Sequence, residues 1–322
     1  MNFPTTMAIL AVALLAPLLP AAEIGELEAT ENEEGVLIRE GDADVLFYQR
    51  ATRSLGGQRP RANYVHPLYD LDGRVLTEDF PTDHLHHRGI FWAWHQVWVG
   101  DKRIGDPWTC EDFVWDVQQA TTEPEENALA LRSHVLWKSP QWTDGAGAMK
   151  PLVEERTTIR VHKSSDDARA IDFEIRLLAL EKDVRLGGSD DEKGYGGFSV
   201  RVRLPEGVRF TGEKGEVEPQ ITSVEAGPWL DVSARYGDGN EISGVTILCH
   251  PSSPGFPQRW ILRSARSMQN PVYPGREAVT LSTDEPLVLR YRLILHRGEA
   301  TRERADGWFR EYAASPLGSI PR

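Results

Sequence analysis

Cysteine is scarce in this 322-residue chain, with only Cys110 and Cys249. Two thiols decide little: export would permit one disulfide between them, and two buried free thiols are an equal alternative. No Cys/His zinc spacing and no HExxH occurs, so a compact zinc motif is excluded. Basic charge is also short, with 36 Lys+Arg against 49 Asp+Glu and a formal charge of −13. Neutralising phosphates requires a basic face, and none is visible, which argues against nucleic-acid partners. The acidic surface favours solubility. Long apolar runs are confined to the start, where residues 9–19 are apolar apart from Pro17 and lead into Pro20-Ala21-Ala22. That run is short for a membrane span and is followed by small residues, as at a signal-peptide cleavage site. It predicts a signal peptide over 1–22 and export to the periplasm or beyond, although the amino terminus is the only early positive charge. No later segment could cross a membrane. GxSxG, Walker and GxGxxG motifs are absent, which removes support for hydrolase elbows and nucleotide folds. Repeats, low-complexity blocks and clear linkers are absent too, and 23–322 reads as a single domain.

What is present is β structure. The composition, 40% hydrophobic and 26% charged, is that of a globular chain long enough to bury a sizeable core. Short β-rich runs recur at 36–38, 45–48, 90–99, 128–138, 155–162, 170–180, 197–204, 242–249, 259–262, 278–281 and 287–296. Alternation is clear in RAIDFEIRLLAL, where Ile171, Phe173, Ile175 and Leu177 share a face, and again in LVLRYRLILH. Such spacing with Gly/Pro-rich connections predicts an all-β fold, a large antiparallel β-sandwich. Only the tail is helical in pattern: 300–315 places Trp308, Phe309 and Tyr312 at helical spacing, with Gly307 weakening it.

Chemistry concentrates in DHLHHRGIFWAWHQVWVG (83–100), which holds four of the nine histidines within twelve positions. An extended backbone would put His84, His86 and Arg88 with Ile90, Trp92 and Trp94, and His87 and His95 on the opposite face, with a break at Gly89 open. Three readings fit. His84 and His86, two residues apart, could ligate a divalent metal with Asp83 or a distant histidine. Imidazoles beside an arginine could exchange protons with a sugar, since histidine titrates near neutrality. Trp92, Trp94 and Trp98 could form a stacking wall, although aromatics at period two are more often sheet core. Elsewhere His250 ends a strand before a stiff, proline-rich loop, His296-Arg297 ends another, and Tyr195 sits among glycines in GYGGFSV. A carboxylate pair for glycoside hydrolysis stays open, with Asp79, Asp83, Glu111, Asp112 and Glu154 as candidates.

HPLYDLDGRVLTEDFPTDHLHHRGIFWAWHQV, GYGGFSVRV, GVTILCHPSSPGFPQRW, NPVYPGR and LRYRLILHRG together resemble the bacterial PmoA family, a domain of unknown function labelled "methane oxygenase". The resemblance runs from about Asn63 to the C-terminal helix. It implies an exported β-sandwich related to the galactose-mutarotase-like supersandwich of many sugar-active proteins, a fold-level analogy. It does not extend to a multi-span membrane oxygenase, since no spanning segment follows the leader. The signature falls on Asp83, His84, His86, His87, Arg88, Gly89 and His95, on Tyr195, Gly196 and Gly197, on His250 and Pro251, and on His296. The expected function is a carbohydrate-active protein that takes a small-molecule sugar with no obligatory cofactor. In the enzymatic form, His86, His87, His95, Tyr195, His250 and His296 are catalytic, and Asp83, His84, Arg88, Trp92 and Trp94 bind substrate. A non-catalytic carbohydrate-binding module and a metal-dependent enzyme are the alternatives.

Overall fold

A computed structural model describes residues 25–237 and 239–315, so the leader predicted at 1–22 lies outside the described residues. The alternating runs become antiparallel sheets with one C-terminal helix, as the pattern predicts. The larger sheet has nine strands, ordered Val114–Glu125, Ala128–Thr143, Met149–His162, Ala168–Ala179, Leu287–Arg297, Ser243–Cys249, Trp229–Ala234, Arg209–Gly212 and Gly215–Glu216. A six-stranded sheet is built from Leu27–Glu31, Gly35–Glu40, Ala43–Gln49, Tyr64–Leu68, Ile90–Ala93 and Gly197–Val200.

The two sheets close on one apolar core. Ile171, Phe173, Ile175 and Leu177 are buried, while the residues between them face outward. Phe198 of the six-stranded sheet stacks on Tyr291 of the nine-stranded one, with ring centroids 4.4 Å apart, and meets Phe173 edge-on at 5.2 Å. One polar cluster crosses the same interior: Glu155 accepts from Asn63 Nδ2 and Trp137 Nε1, both at 2.8 Å, and from Thr157 Oγ1 at 2.7 Å. Burial pushes the Glu155 carboxyl above its ordinary range, and these donors moderate the rise. Cys110 and Cys249 are both buried and free.

The predicted strand 90–99 is broken. Ile90–Ala93 belongs to the six-stranded sheet, whereas Gln96–Val99 pairs with Val184–Gly187 and Lys102–Gly105 in a separate four-stranded sheet. Trp94 and His95 occupy the switch between sheets, which is why an imidazole can be displayed in the middle of an apolar run. At the other end of Ile90–Ala93, Gly89 has φ +37°, and a Cβ there would lie 2.0 Å from the Val65 carbonyl oxygen. Gly89→Ala therefore combines backbone strain with a clash against main chain. It is expected to cost about 2–4 kcal/mol in urea denaturation, above the ~1–3 kcal/mol of an unfavourable backbone region alone. A cost below about 1 kcal/mol would show that the chain passes Val65 differently.

The helix Arg302–Ala314 starts where Thr301 Oγ1 accepts from the Arg304 N–H at 3.3 Å. It buries Ala305 and Tyr312 against Trp229, Leu248 and Ile294 on the nine-stranded sheet.

Candidate functional site

The segment before Gly89 is not extended. Two successive turns, with His84 N donating to Pro81 O and His87 N to His84 O, fold residues 81–87 back on themselves. This overturns the expected separation of His84 and His86 from His87. The rings of His84 and His87 stack 4.7 Å apart, and His86 meets His87 edge-on at 4.7 Å and His84 at 5.6 Å. From Ile90 to His95 the predicted alternation holds; at the switch between sheets it shifts by one, so Val97 and Val99 join the core and Trp98 is left half-buried outside it. Trp92 and Trp94 point into the inter-sheet core, while Phe91 and His95 share the other face with His87.

Two residues that the sequence reading did not single out organise this face. Arg201 is buried, and its Nη2 donates to both oxygens of Asp83, at 2.9 and 3.0 Å; its Nε donates to Glu78 at 2.7 Å. Its Nη1 lies 3.1 Å from His87 Nδ1. A guanidinium only donates, so His87 Nδ1 accepts and the ring proton is assigned to Nε2. Asp83 also accepts from His84 Nδ1 at 2.7 Å, and these bonds hold its carboxyl below the usual range despite partial burial. Asp106 accepts from His95 Nδ1 at 2.9 Å and from the Thr109 N–H at 3.0 Å. Burial opposes its ionisation, yet the bond from His95 and its neighbours hold it low. His95 Nε2 is left buried with no hydrogen-bond partner. Alternation in GFSVRV puts Arg201 opposite Phe198, Val200 and Val202, which was a local signal for it. Asp106 carried no signal beyond an Asp-Pro turn.

Trp108 connects the parts. It stacks on His95 at 5.4 Å, meets Tyr195 edge-on at 5.0 Å and His87 edge-on at 6.0 Å. Tyr195 is half-buried and also lies edge-on to His95 at 5.0 Å. Burial, with the nearby Asp191 and Asp106 charges, raises its phenol, which therefore keeps its proton. The result is a graded surface: Phe91 and Trp108 at the buried base, His86, His95 and Tyr195 half-buried, and His84 exposed.

Burial, then the charges of His84, Arg61, Arg59 and His95, push the His86 imidazole down to about 3. His87 is held well below its ordinary value by burial and by His86, Arg201, His84 and Arg61. Both rings are neutral at neutral pH. An unfolded histidine takes its proton near 6.5, so between there and about 3 the unfolded chain binds one proton more than folded His86. Stability therefore falls as pH drops through that window, and this contribution levels off below it. His86→Gln is expected to lose less stability than wild type between about pH 7 and about pH 4 in urea titrations. Equal losses in both would contradict this environment for His86.

Other expected site residues are placed elsewhere. Arg88 is fully buried, with its guanidinium 3.2 Å from the Phe80 ring centroid, bonded to Asp79 Oδ1 at 3.2 Å and to main-chain carbonyls. It holds the turn and presents nothing to a ligand. Trp92 and Trp94 are core residues, and Trp94 Nε1 donates to Tyr273 O, so neither offers a free face for stacking. His250 and His296 end strands of the nine-stranded sheet and meet the C-terminal helix instead of the cluster. His250 lies edge-on to Tyr312 at 5.0 Å, while His296 bonds Asp231 at 2.8 Å and Gly298 O at 3.0 Å beside Trp308. Asp79, Glu111 and Glu154 are each in ion pairs, with Arg88, Arg59 and Arg156. Among the described residues no group of three or more His, Cys, Asp or Glu side chains is arranged to hold a metal ion. A groove of about 840 Å³ on the outer face of the nine-stranded sheet is lined by Arg132, His134, Glu154 and Arg156, among others, and contains none of the 83–95 histidines.

The sequence model of a family of unknown function, DUF6807, matches residues 35–310. The chain belongs to that family. No curated protein matches it. The DUF6807 span includes the histidine turn, His95, Asp106, Tyr195 and Arg201, so the whole cluster lies within the family's own sequence.

Proposed function

We propose that this DUF6807 protein is a carbohydrate-active enzyme whose histidine cluster performs acid–base chemistry on a sugar or modified sugar. The observation that carries the reading is the His95–Asp106 pair beside His87. Asp106 takes the Nδ1 proton of His95 in a hydrogen bond, which leaves Nε2 as an acceptor with no internal partner. That is the arrangement of a general base whose tautomer is fixed by a carboxylate. His87 is set in the opposite sense: Arg201 occupies Nδ1, so Nε2–H is a neutral donor for an oxygen that gains charge. The protonated Tyr195 hydroxyl supplies a further donor or acid next to His95. One acceptor and two donors around Trp108 suit removal of a proton with stabilisation of the oxygen that results. Hydrolase, lyase and epimerase reactions all use such a set. The leader predicted at 1–22 would put this activity in the periplasm or outside the cell. The PmoA label contributes no oxygenase step. The test is a product screen by mass spectrometry over a panel of oligosaccharides. Product with wild type and not with His95→Gln is expected; no product, or one formed equally by the variant, overturns the reading.

A further inference from the structure

Arg61 is not explained by acid–base chemistry alone. Five arginines are buried among the described residues: Arg61, Arg88, Arg169, Arg201 and Arg292. Four of them meet a carboxylate, through Asp79, Glu40, Glu78 with Asp83, and Asp172 respectively. Arg61 meets none. Its Nη2 donates to the carbonyls of Pro107 and Trp108, and its side chain borders the Cys110 thiol. Its guanidinium lies 4.2 Å from the Trp115 ring centroid and 4.9 Å from that of Phe91. Nε and Nη1 have no hydrogen-bond partner. A desolvated cation with unmade bonds is costly, and contact with ring faces returns only part of that cost.

The cation sits one layer behind the imidazoles. Phe91, which Arg61 touches, stacks on His87 at 6.0 Å, and Trp108, whose carbonyl Arg61 contacts, stacks on His95. The acidic groups nearby are already committed: Asp83 and Glu78 to Arg201, Asp106 to His95 and Arg103, Glu111 to Arg59, and Asp191 to Lys193. Arg263, near Tyr195, is held by the carbonyls of Gln220, Ile221 and Leu262 and by no carboxylate. The region thus carries more fixed positive than negative charge even with every imidazole neutral.

We infer that the site takes an anionic sugar, one bearing a carboxylate or sulfate that the N–H of His86 receives above the buried charge of Arg61. The inference rests on the proposal that the site acts on sugars, and it supplies the counter-charge that the fold itself withholds. Calorimetric titration of the full chain tests it with three probes of equal length: an oligogalacturonate, a sulfated galactose oligomer and an uncharged galactose oligomer. At least one acidic probe is expected to bind about tenfold or more tighter than the uncharged one at low salt, with a smaller margin at high salt. Arg61→Gln should abolish that margin and Arg61→Lys keep most of it, with unfolding curves confirming that both fold. Should Arg61→Gln fail to fold, Arg263→Gln, at a half-buried position, is expected to reduce the margin by about threefold. Equal binding of the charged and uncharged oligomers, no binding of either acidic one, or an unchanged margin in Arg61→Gln overturns the inference. An uncharged glycan turned over in a His95-dependent way would sink this inference and leave the acid–base reading standing. Tight acidic binding without turnover would do the reverse.

Discussion

Replacing His95 by glutamine is expected to lower turnover by about 10²–10⁴-fold, the usual contribution of a positioned general base. At ~1.36 kcal/mol per tenfold, that is about 3–5 kcal/mol of lost transition-state stabilisation. The fold should change little, because His95 sits in a short break between two sheets and is not part of either ladder. Asp106→Asn separates orientation from proton transfer. An amide can donate to or accept from Nδ1, so the tautomer that exposes a free Nε2 is no longer enforced. A loss of about 10–100-fold is expected there, as for other partners that orient a histidine. The split between kcat and KM is the decisive readout: His95→Gln and Asp106→Asn should both lower kcat with little change in KM. If His95→Gln keeps the wild-type kcat, another histidine of the cluster is the base.

The largest stability effect is expected at Phe198. Its ring lies between Tyr291 and Phe173, so truncation to alanine opens a cavity at the junction of the two large sheets. A loss of about 3–5 kcal/mol is expected, the range for a buried phenylalanine. It should appear as a lower urea midpoint with an unchanged slope, because both sheets share one apolar core. The loss should be less than additive with Tyr291→Ala, since the second truncation removes contacts already gone. A drop below about 1 kcal/mol would mean that the sheets do not meet at this ring.

The same residues show how far local pattern reaches. Alternation in 90–95 placed His95 and His87 opposite Trp92 and Trp94, and the fold keeps that division, because period two is a property of the extended backbone itself. The turns over 81–87 were not legible, and they bring His84 and His86 to the side that alternation had denied them. His250 and His296 looked equivalent to the cluster histidines as strand-end imidazoles. They diverge because their strands lie in the nine-stranded sheet, under the helix, while Ile90–Ala93 pairs with Gly197–Val200 in the other sheet. Arg61, Asp106 and Arg201 went unnoticed because their meaning depends on partners: Arg201 bonds Asp83 across 118 positions.

By itself, then, the sequence determined an antiparallel β-sandwich with a C-terminal helix, and the two faces of the aromatic strand. These follow from side-chain periodicity and turn chemistry, which act over a few residues. Tertiary structure decided which imidazoles converge, which tautomers they hold and which arginine lacks a counter-charge. Those depend on strand pairing and burial, and both are set by contacts between residues far apart in the chain.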